Sequence, residues 1–130
     1  MLWDTHMHTH FSVDSEADTA EMIAASINAG VGGICFTDHL DLEKTQTTPD
    51  LFPLDIPAYF KEMKRFQTQS QDKFPIYIGV EIGLQTYLKD LLPQIIQEYP
   101  FDFSLDKRGG SLLSRIFCGQ NRGRSLPRVL

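Results

Sequence analysis

Residues 33–39 read Gly-Ile-Cys-Phe-Thr-Asp-His, a short apolar run that follows a glycine and ends in two polar side chains. Such a run predicts a buried strand, because strands covered on both faces have continuous apolar sequences rather than alternating ones. Asp38 and His39 would then lie at the carboxyl end of that strand. The same arrangement recurs upstream, where residues 1–4 predict a first strand that leads into the cluster Thr-His-Met-His-Thr-His at residues 5–10.

A helix is predicted between these two strands, and a second one follows them. Asp18 and Glu21 have the spacing of a capping box, and apolar residues repeat at helical intervals from Thr19 to Ala29 before Gly30. Asp55 can cap the second helix. Its apolar face consists of four residues, Tyr59, Phe60, Met63 and Phe66.

Two further strands are predicted downstream. Pro75 precedes the β-branched and aromatic run of residues 76–80, which ends in Glu81. Residues 88–96 have another helical apolar face, and a fourth strand is predicted to start at Phe101. Strands and helices alternate, so the predicted fold class is α/β with parallel strands, whose carboxyl ends are expected to carry the chemistry. Four candidate side chains lie at such ends: His6, His8, His39 and Glu81.

The composition predicts one soluble globular domain. The chain has 130 residues, of which 42% are hydrophobic and 22% charged. It contains no apolar run of the roughly 20 residues that a membrane helix needs, and no secretory leader is predicted, so we expect a cytoplasmic protein without a membrane partner. Cys35 and Cys118 match no metal-binding or disulfide pattern and are expected to be reduced thiols.

The charge divides the chain in two. Residues 1–103 hold six basic and 16 acidic residues, whereas residues 104–130 hold six basic residues and one acidic residue. Five of the basic residues in this tail are arginines, although the body contains only Arg65. The tail also lacks helical or strand periodicity. We therefore expect a domain at residues 1–103, followed by a disordered tail at 104–130 that is not part of this domain.

We hypothesise that the tail results from a frameshift near Ser104. Codons for residues 112–130 can be chosen so that a shift of one base yields the peptide YYPEYFAGKTEEEAYREY, a loop followed by an acidic helix start. The alternative is an arginine-rich arm that binds nucleic acid. Against it, Phe117 is the tail's one aromatic residue and the body is acidic. We expect no nucleic-acid partner.

Two imidazoles separated by one residue at the end of a strand project to the same side, so His6 and His8 can share one cation. A single histidine is more often a surface or hydrogen-bonded core residue than a ligand. Here, however, Asp14, His39 and Glu81 add two carboxylates and an imidazole at or just after predicted strand ends. This mixture of nitrogen and oxygen ligands suits Zn, Mn or Fe.

Four motifs now carry a family resemblance. They are Asp-Thr-His-Met-His-Thr at residues 4–9, Phe-Ser-Val-Asp-Ser at 11–15, Phe-Thr-Asp-His at 36–39 and Gly-Val-Glu-Ile-Gly at 79–83. In this order and spacing they resemble the first motifs of the polymerase and histidinol phosphatase (PHP) superfamily. Their particular residues are most similar to those of its histidinol-phosphatase branch. The resemblance covers residues 1 to about 103.

The resemblance implies the N-terminal part of a distorted (β/α)₇ TIM-like barrel that holds up to three metal ions. His6 and His8 would bind one ion, Glu81 would bridge two, and Asp14 with His39 would serve the third. The family pattern continues with further histidines and an Asp-x-His motif, whereas this chain has no histidine after His39. At least four expected ligands are therefore missing, and we expect an incomplete site.

The reaction that the resemblance implies is hydrolysis of a small phosphomonoester. The substrate that it favours is histidinol phosphate, which is converted to histidinol in histidine biosynthesis. A metal-bound hydroxide would attack the phosphate, so no side-chain nucleophile is required. His10 either faces the phosphate, or orients a metal ligand by a hydrogen bond, or is a loop histidine without a role in the site. Asp38 either orients its neighbours or only ends its strand.

Three alternatives remain open. The chain could belong to another PHP-type phosphoesterase or nuclease, or to an amidohydrolase-like metal hydrolase, although the glycines around Glu81 fit the latter less well. It could also be a non-functional fragment, because part of a barrel leaves strand edges and a sheet face uncovered. The sequence does not predict the oligomeric state.

Overall fold

A computed structural model of the chain describes residues 1–12, 14–40, 54–82 and 91–106. Strands and helices alternate along it, which confirms the α/β prediction. The strands are β1 (Asp4–Met7), β2 (Ile34–Leu40), β3 (Ile76–Ile82) and β4 (Phe103–Asp106). The helices are α1 (Thr19–Asn28), α2 (Ile56–Ser70) and α3 (Leu91–Glu98). Residues 104–106 of the predicted disordered tail belong to β4 and pair with β3, whereas the rest of that tail, including Cys118, lies outside the described residues.

The four strands form one parallel sheet in the order β1-β2-β3-β4. Each strand pairs with the next one along the chain, as expected where every connection returns the chain to the same end of the sheet. The carboxyl ends of all four strands consequently share one edge.

All four predicted strands are present, but their predicted bounds are wrong: β3 continues through Glu81 to Ile82, and β4 begins at Phe103 rather than Phe101. The apolar start suggested a strand at residues 1–4, whereas β1 begins at Asp4, because Met1 and Leu2 are exposed and contribute little burial. The second strand does not end before its polar pair but continues through Asp38 and His39 to Leu40. These two polar side chains can lie inside the strand because each has polar partners, which are described below.

Both predicted N-terminal caps are present. The carboxylate of Asp18 accepts a hydrogen bond from the backbone N–H of Glu21 (3.0 Å), and that of Asp55 accepts one from Ala58 (3.1 Å). Gly30 has a φ of 76°, a left-handed conformation that ends α1 at low steric cost.

The hydrophobic core lies on one face of the sheet. On β2, Ile34, Phe36 and Leu40 belong to the buried cluster, together with Tyr59 and Met63 of α2. Because side chains alternate along a strand, the intervening residues of β2 project to the opposite face. These residues are Cys35, Thr37 and His39.

Tyr59 connects α2 to the two central strands. It is fully buried, and its hydroxyl lies 2.7 Å from the carbonyl oxygen of Gly79 on β3 and 3.3 Å from that of Phe36 on β2. A buried phenol needs a partner for its proton, and these carbonyls supply it. Tyr59 therefore holds α2 in place across the strands that carry His39 and Glu81.

Within the described ranges, no helix combines the length and the apolar character that crossing a bilayer requires.

Candidate metal centre

Three neighbouring strands bring the predicted ligands to the carboxyl edge of the sheet. His6 lies in β1, and His8 follows that strand directly. His39 of β2 and Glu81 of β3 are paired across the ladder, so their side chains stand side by side. The sheet thus joins residues that are more than 70 positions apart in the sequence.

Glu81 lies between the first two histidines. Its Oε2 atom is 2.9 Å from Nε2 of His6 and 2.7 Å from Nε2 of His8. The glutamate side chain is only 10% exposed, whereas that of His6 is 57% exposed. A nearly buried carboxylate thus faces two imidazole nitrogens, of which only the one on His6 belongs to an exposed ring.

Asp14 forms a second group on the other side of His8. Its Oδ2 atom is 2.9 Å from Nε2 of His39 and 3.2 Å from Nδ1 of His8. Unlike Glu81, Asp14 does not lie on a strand but in the connection between β1 and α1. It is also 54% exposed, so its position depends on how that connection is held.

The ligand atoms in each group lie within 4.8 Å of one another, which is close enough to surround one ion. The groups are His6–His8–Glu81 and His8–Asp14–His39, and they share His8. A neutral imidazole offers one nitrogen lone pair, so His8 can bind the ion of only one group at a time. The imidazole and carboxylate donors fit Zn, Mn or Fe better than Ca or Mg.

The surrounding imidazoles favour the charged form of both carboxylates. Desolvation alone would raise the pKa of Glu81, but hydrogen bonds from His6 and His8 and the charge of His39 outweigh it, so the pKa lies below its ordinary value. At Asp14, desolvation is likewise outweighed by His39 and His8, and the pKa is lowered. Ionised carboxylates are the form that binds a cation.

Asp38 belongs to neither group, because it projects from β2 on the face opposite to His39. It is fully buried and accepts hydrogen bonds from the backbone N–H of Thr9 (2.6 Å), the Thr9 hydroxyl (3.1 Å) and the Ser12 hydroxyl (2.7 Å). Desolvation raises the pKa of Asp38, and these hydrogen bonds offset only part of the effect.

His10 also lies outside both groups. Its Nε2 atom is 4.0 Å from Glu62 of α2, and its ring centroid is 4.4 Å from that of Phe11. Glu62 in turn accepts a hydrogen bond from the Thr19 hydroxyl of α1 (3.0 Å). The geometry therefore gives His10 a partner on α2, and its predicted role beside a ligand or the phosphate stays a prediction.

Sequence reasoning gave no role to Thr9 and Ser12, although both are buried at the site. Their hydroxyls point to Asp38, which is the residue next to His39. The available signal was the pair of hydroxyl residues on either side of His10, combined with a carboxylate directly before a candidate ligand.

The fold and the site together define an α/β protein whose parallel sheet gathers three imidazoles and two carboxylates at its carboxyl edge. Residues 4–108 match the PHP domain family. The chain belongs to this family, which confirms the resemblance drawn from the four motifs.

Two curated relatives are histidinol-phosphatases by name. The histidinol-phosphatase of Lactococcus lactis subsp. lactis (strain IL1403) is 40% identical over 101 residues, which cover 77% of this chain and 36% of that protein. The probable histidinol-phosphatase of Clostridium acetobutylicum is 35% identical over 105 residues, covering 81% of this chain and 38% of the relative. The chain therefore spans little more than a third of the length of either protein.

Two solved structures share the fold. A crystal structure of histidinol phosphate phosphatase from Lactococcus lactis, complexed with Zn, L-histidinol and phosphate, has a TM-score of 0.70 at 37% identity, covering 81% of this chain and 39% of that one. The putative histidinol phosphatase of Listeria monocytogenes has a TM-score of 0.68 at 22% identity, covering 80% and 43%. The four-stranded sheet described above therefore has the same fold as part of each of these longer proteins.

Proposed function

We propose that this chain carries part of the metal centre of a phosphomonoester hydrolase that acts on histidinol phosphate. The observation that carries the proposal is the position of Glu81, whose carboxylate lies 2.9 and 2.7 Å from the imidazoles of His6 and His8. The phosphatase from Lactococcus lactis, which was crystallised with Zn, L-histidinol and phosphate, supports the choice of substrate.

We further propose zinc as the metal, with Mn or Fe as alternatives and up to three ions in a complete family site. His6, His8 and Glu81 would hold one ion, and Asp14 with His39 would hold another. When bound, such ions neutralise phosphate oxygens and lower the pKa of water. Because His8 lies between the groups, the second ion would need ligands from elsewhere in the protein if His8 serves the first.

The chain's own residues orient the site. Glu81, fixed in β3, keeps the rings of His6 and His8 turned towards one point, and Asp14 does the same for His39. The Ser12 hydroxyl donates to Asp38 on the far side of β2, so it is not directed at a substrate. This agrees with a reaction that uses no side-chain nucleophile.

A histidinol phosphatase implies a small phosphorylated partner. The cytoplasmic location and the lack of membrane and nucleic-acid partners stay predictions from the sequence. Other PHP-type phosphoesterases or nucleases are the competing function.

For the tail, we keep the proposal of a domain at residues 1–103 followed by residues read in a shifted frame. The family match reaches residue 108, slightly beyond the change in composition. Sequencing the gene around codon 104 decides the matter. We expect the shifted frame to encode a family-like peptide resembling YYPEYFAGKTEEEAYREY, and the idea fails if no such peptide appears in either alternative frame.

The function is tested on the purified chain by measuring bound metal and phosphate release. Two or more Zn, Mn or Fe ions per chain, together with release of phosphate from histidinol phosphate, would support the enzyme. Hydrolysis of single-stranded DNA or unrelated phosphomonoesters, but not histidinol phosphate, would instead favour the competing PHP activities. A metal-free, aggregated protein would indicate a non-functional fragment.

A further inference from the structure

The connection from β1 to α1 is held against β2 by side chains rather than by strand pairing. The ladder between β1 and β2 ends with Met7 paired to Phe36, so the last residues of β2 extend beyond β1. There, the backbone N–H of His39 donates a hydrogen bond to the Ser12 hydroxyl (2.9 Å). Ser12 thus provides the acceptor that a longer β1 would have supplied.

The hydroxyl proton of Ser12 has a fixed direction. A backbone N–H can only donate, so Ser12 Oγ must accept from His39, and its single proton is left for Asp38 Oδ1 at 2.7 Å. Thr9 repeats the pattern: its hydroxyl accepts from the N–H of Phe11 (3.3 Å) and donates to Asp38 (3.1 Å). Two loop hydroxyls therefore converge on one buried carboxylate.

Asp38 is the fixed end of this network. It lies inside β2 with no exposed surface, and the Thr9 N–H adds a third donor at 2.6 Å. A buried carboxylate with several donors holds them firmly, because losing any one leaves a polar group without a partner away from water. The loop is thereby anchored on both sides of His10, at Thr9 and at Ser12.

We propose that Ser12 and Asp38 are positioning residues that hold Asp14 against His39 and His8. The metal part of this inference rests on the proposed function. Asp14 lies two residues after Ser12, outside the strands, and is half exposed, so its position depends on how the connection is held. His6 and Glu81 lie on strands and need no such support. Of the two groups, the network therefore supports His8–Asp14–His39 most directly, because only this group contains Asp14.

The first test is a titration of the metal-depleted chain with Co²⁺, followed by absorbance and calorimetry. Ser12→Ala and Asp38→Asn should weaken Co²⁺ binding by about tenfold to a hundredfold, the usual effect of losing an outer partner of a ligand. Combined with Asp14→Asn, Ser12→Ala should cause no further loss, because it acts through Asp14. Equal losses in both backgrounds would contradict the proposal.

Asp102→Asn is the matched control. The Asp102 carboxylate also accepts from a backbone N–H, that of Ile78 (2.9 Å), and from the side chain of Gln67 (3.1 Å), but it lies at the opposite end of β3 from Glu81. This variant should lose stability without weakening Co²⁺ binding. A similar loss of Co²⁺ binding in the control would show that the effect of Ser12→Ala comes from general destabilisation of the fold.

The second test needs no metal. In amide hydrogen exchange, Ser12→Ala should accelerate the exchange of the N–H groups of His39 and of residue 12 about tenfold and leave that of Ile78 unchanged. Asp102→Asn should accelerate the exchange of the Ile78 N–H and leave the other two unchanged. Unchanged exchange at His39 and Ser12 in Ser12→Ala overturns the positioning role. If the wild-type chain binds no Co²⁺, the proposed function fails, and the exchange result alone decides whether the network holds the loop. Ser12→Ala, the milder change, serves if Asp38→Asn does not fold.

Discussion

At the residue scale, the site depends on contacts between groups of opposite polarity. The carboxylate of Glu81 contacts the imidazoles of His6 and His8, and that of Asp14 contacts the imidazoles of His8 and His39. Within such clusters, protons and metal ions compete for the same nitrogen and oxygen atoms. Substituting one ligand should therefore affect metal binding and the response to acid together.

We predict that Glu81→Gln weakens zinc binding by more than the tenfold to hundredfold typical of outer partners, because it removes a ligand charge. Isothermal titration calorimetry on the metal-depleted chain measures the change. Glu62→Gln is the matched control, since Glu62 contacts His10 and Thr19 outside both groups. Equal affinity in Glu81→Gln and the wild-type chain would remove Glu81 from the centre.

The lowered pKa of Glu81 also predicts acid sensitivity in the metal-free chain. Because the folded state binds this proton less readily than the unfolded chain, the stabilisation is complete above the ordinary pKa of 4.5 and is lost as the pH falls through the lowered value. Asp14 acts in the same direction, and Asp38, whose pKa is raised, acts in the opposite one.

Thermal unfolding in EDTA between about pH 6 and pH 3 tests this expectation. The unfolding temperature of the wild-type chain should fall at the acid end, and the fall should be smaller in Glu81→Gln. An identical pH dependence in the two proteins would show that Glu81 contributes nothing to it.

At the scale of elements, a buried hydroxyl of α2 contacts the two central strands of the sheet. The Tyr59 side chain has no exposed surface, and its phenol lies within hydrogen-bonding distance of carbonyls on β2 and β3. Phenylalanine would retain the ring and its packing but not the proton donor. The substitution therefore isolates the hydrogen bond from the hydrophobic contact.

We predict that Tyr59→Phe lowers the free energy of unfolding by about 1 to 2 kcal/mol, the usual effect of removing a buried hydrogen bond. Urea denaturation followed by circular dichroism gives the value. Tyr99→Phe is a suitable control, because Tyr99 is half-buried and packs by its ring against Phe60. A loss in the control as large as that in Tyr59→Phe would argue against a specific role for the phenol.

At the scale of the whole molecule, metal binding and folding should be linked. The two ligand groups draw on β1, β2, β3 and the β1–α1 connection, which an unfolded chain cannot bring together. An ion that binds only the folded chain stabilises it in proportion to the logarithm of its concentration.

We therefore predict that zinc raises the unfolding temperature. The free energy of unfolding should increase by about 2.7 kcal/mol when free zinc exceeds its dissociation constant a hundredfold. Differential scanning fluorimetry with buffered zinc measures it. The double variant His6→Ala and His39→Ala, which removes one ligand from each group, should abolish the gain. A gain that survives in this variant would place the binding elsewhere.

The sequence by itself determined the alternation of strands and helices, both helix caps and the family. These depend on local signals, namely apolar periodicity, capping spacing and short motifs, which are complete within a few residues. It also identified the candidate ligands by residue type. Local signals failed at the strand bounds, because exposure of Met1 and Leu2 and the polar partners of Asp38 are not local properties.

Only the tertiary structure decided which candidate ligands meet. The pairing of His39 with Glu81 follows from the register of β2 and β3, and the division into two groups around His8 follows from the path of the β1–α1 connection. The same holds for Asp38, which the structure turns away from the ligands and towards Thr9 and Ser12. Distances between residues remote in sequence are set by packing and register, and no short stretch of the chain encodes them.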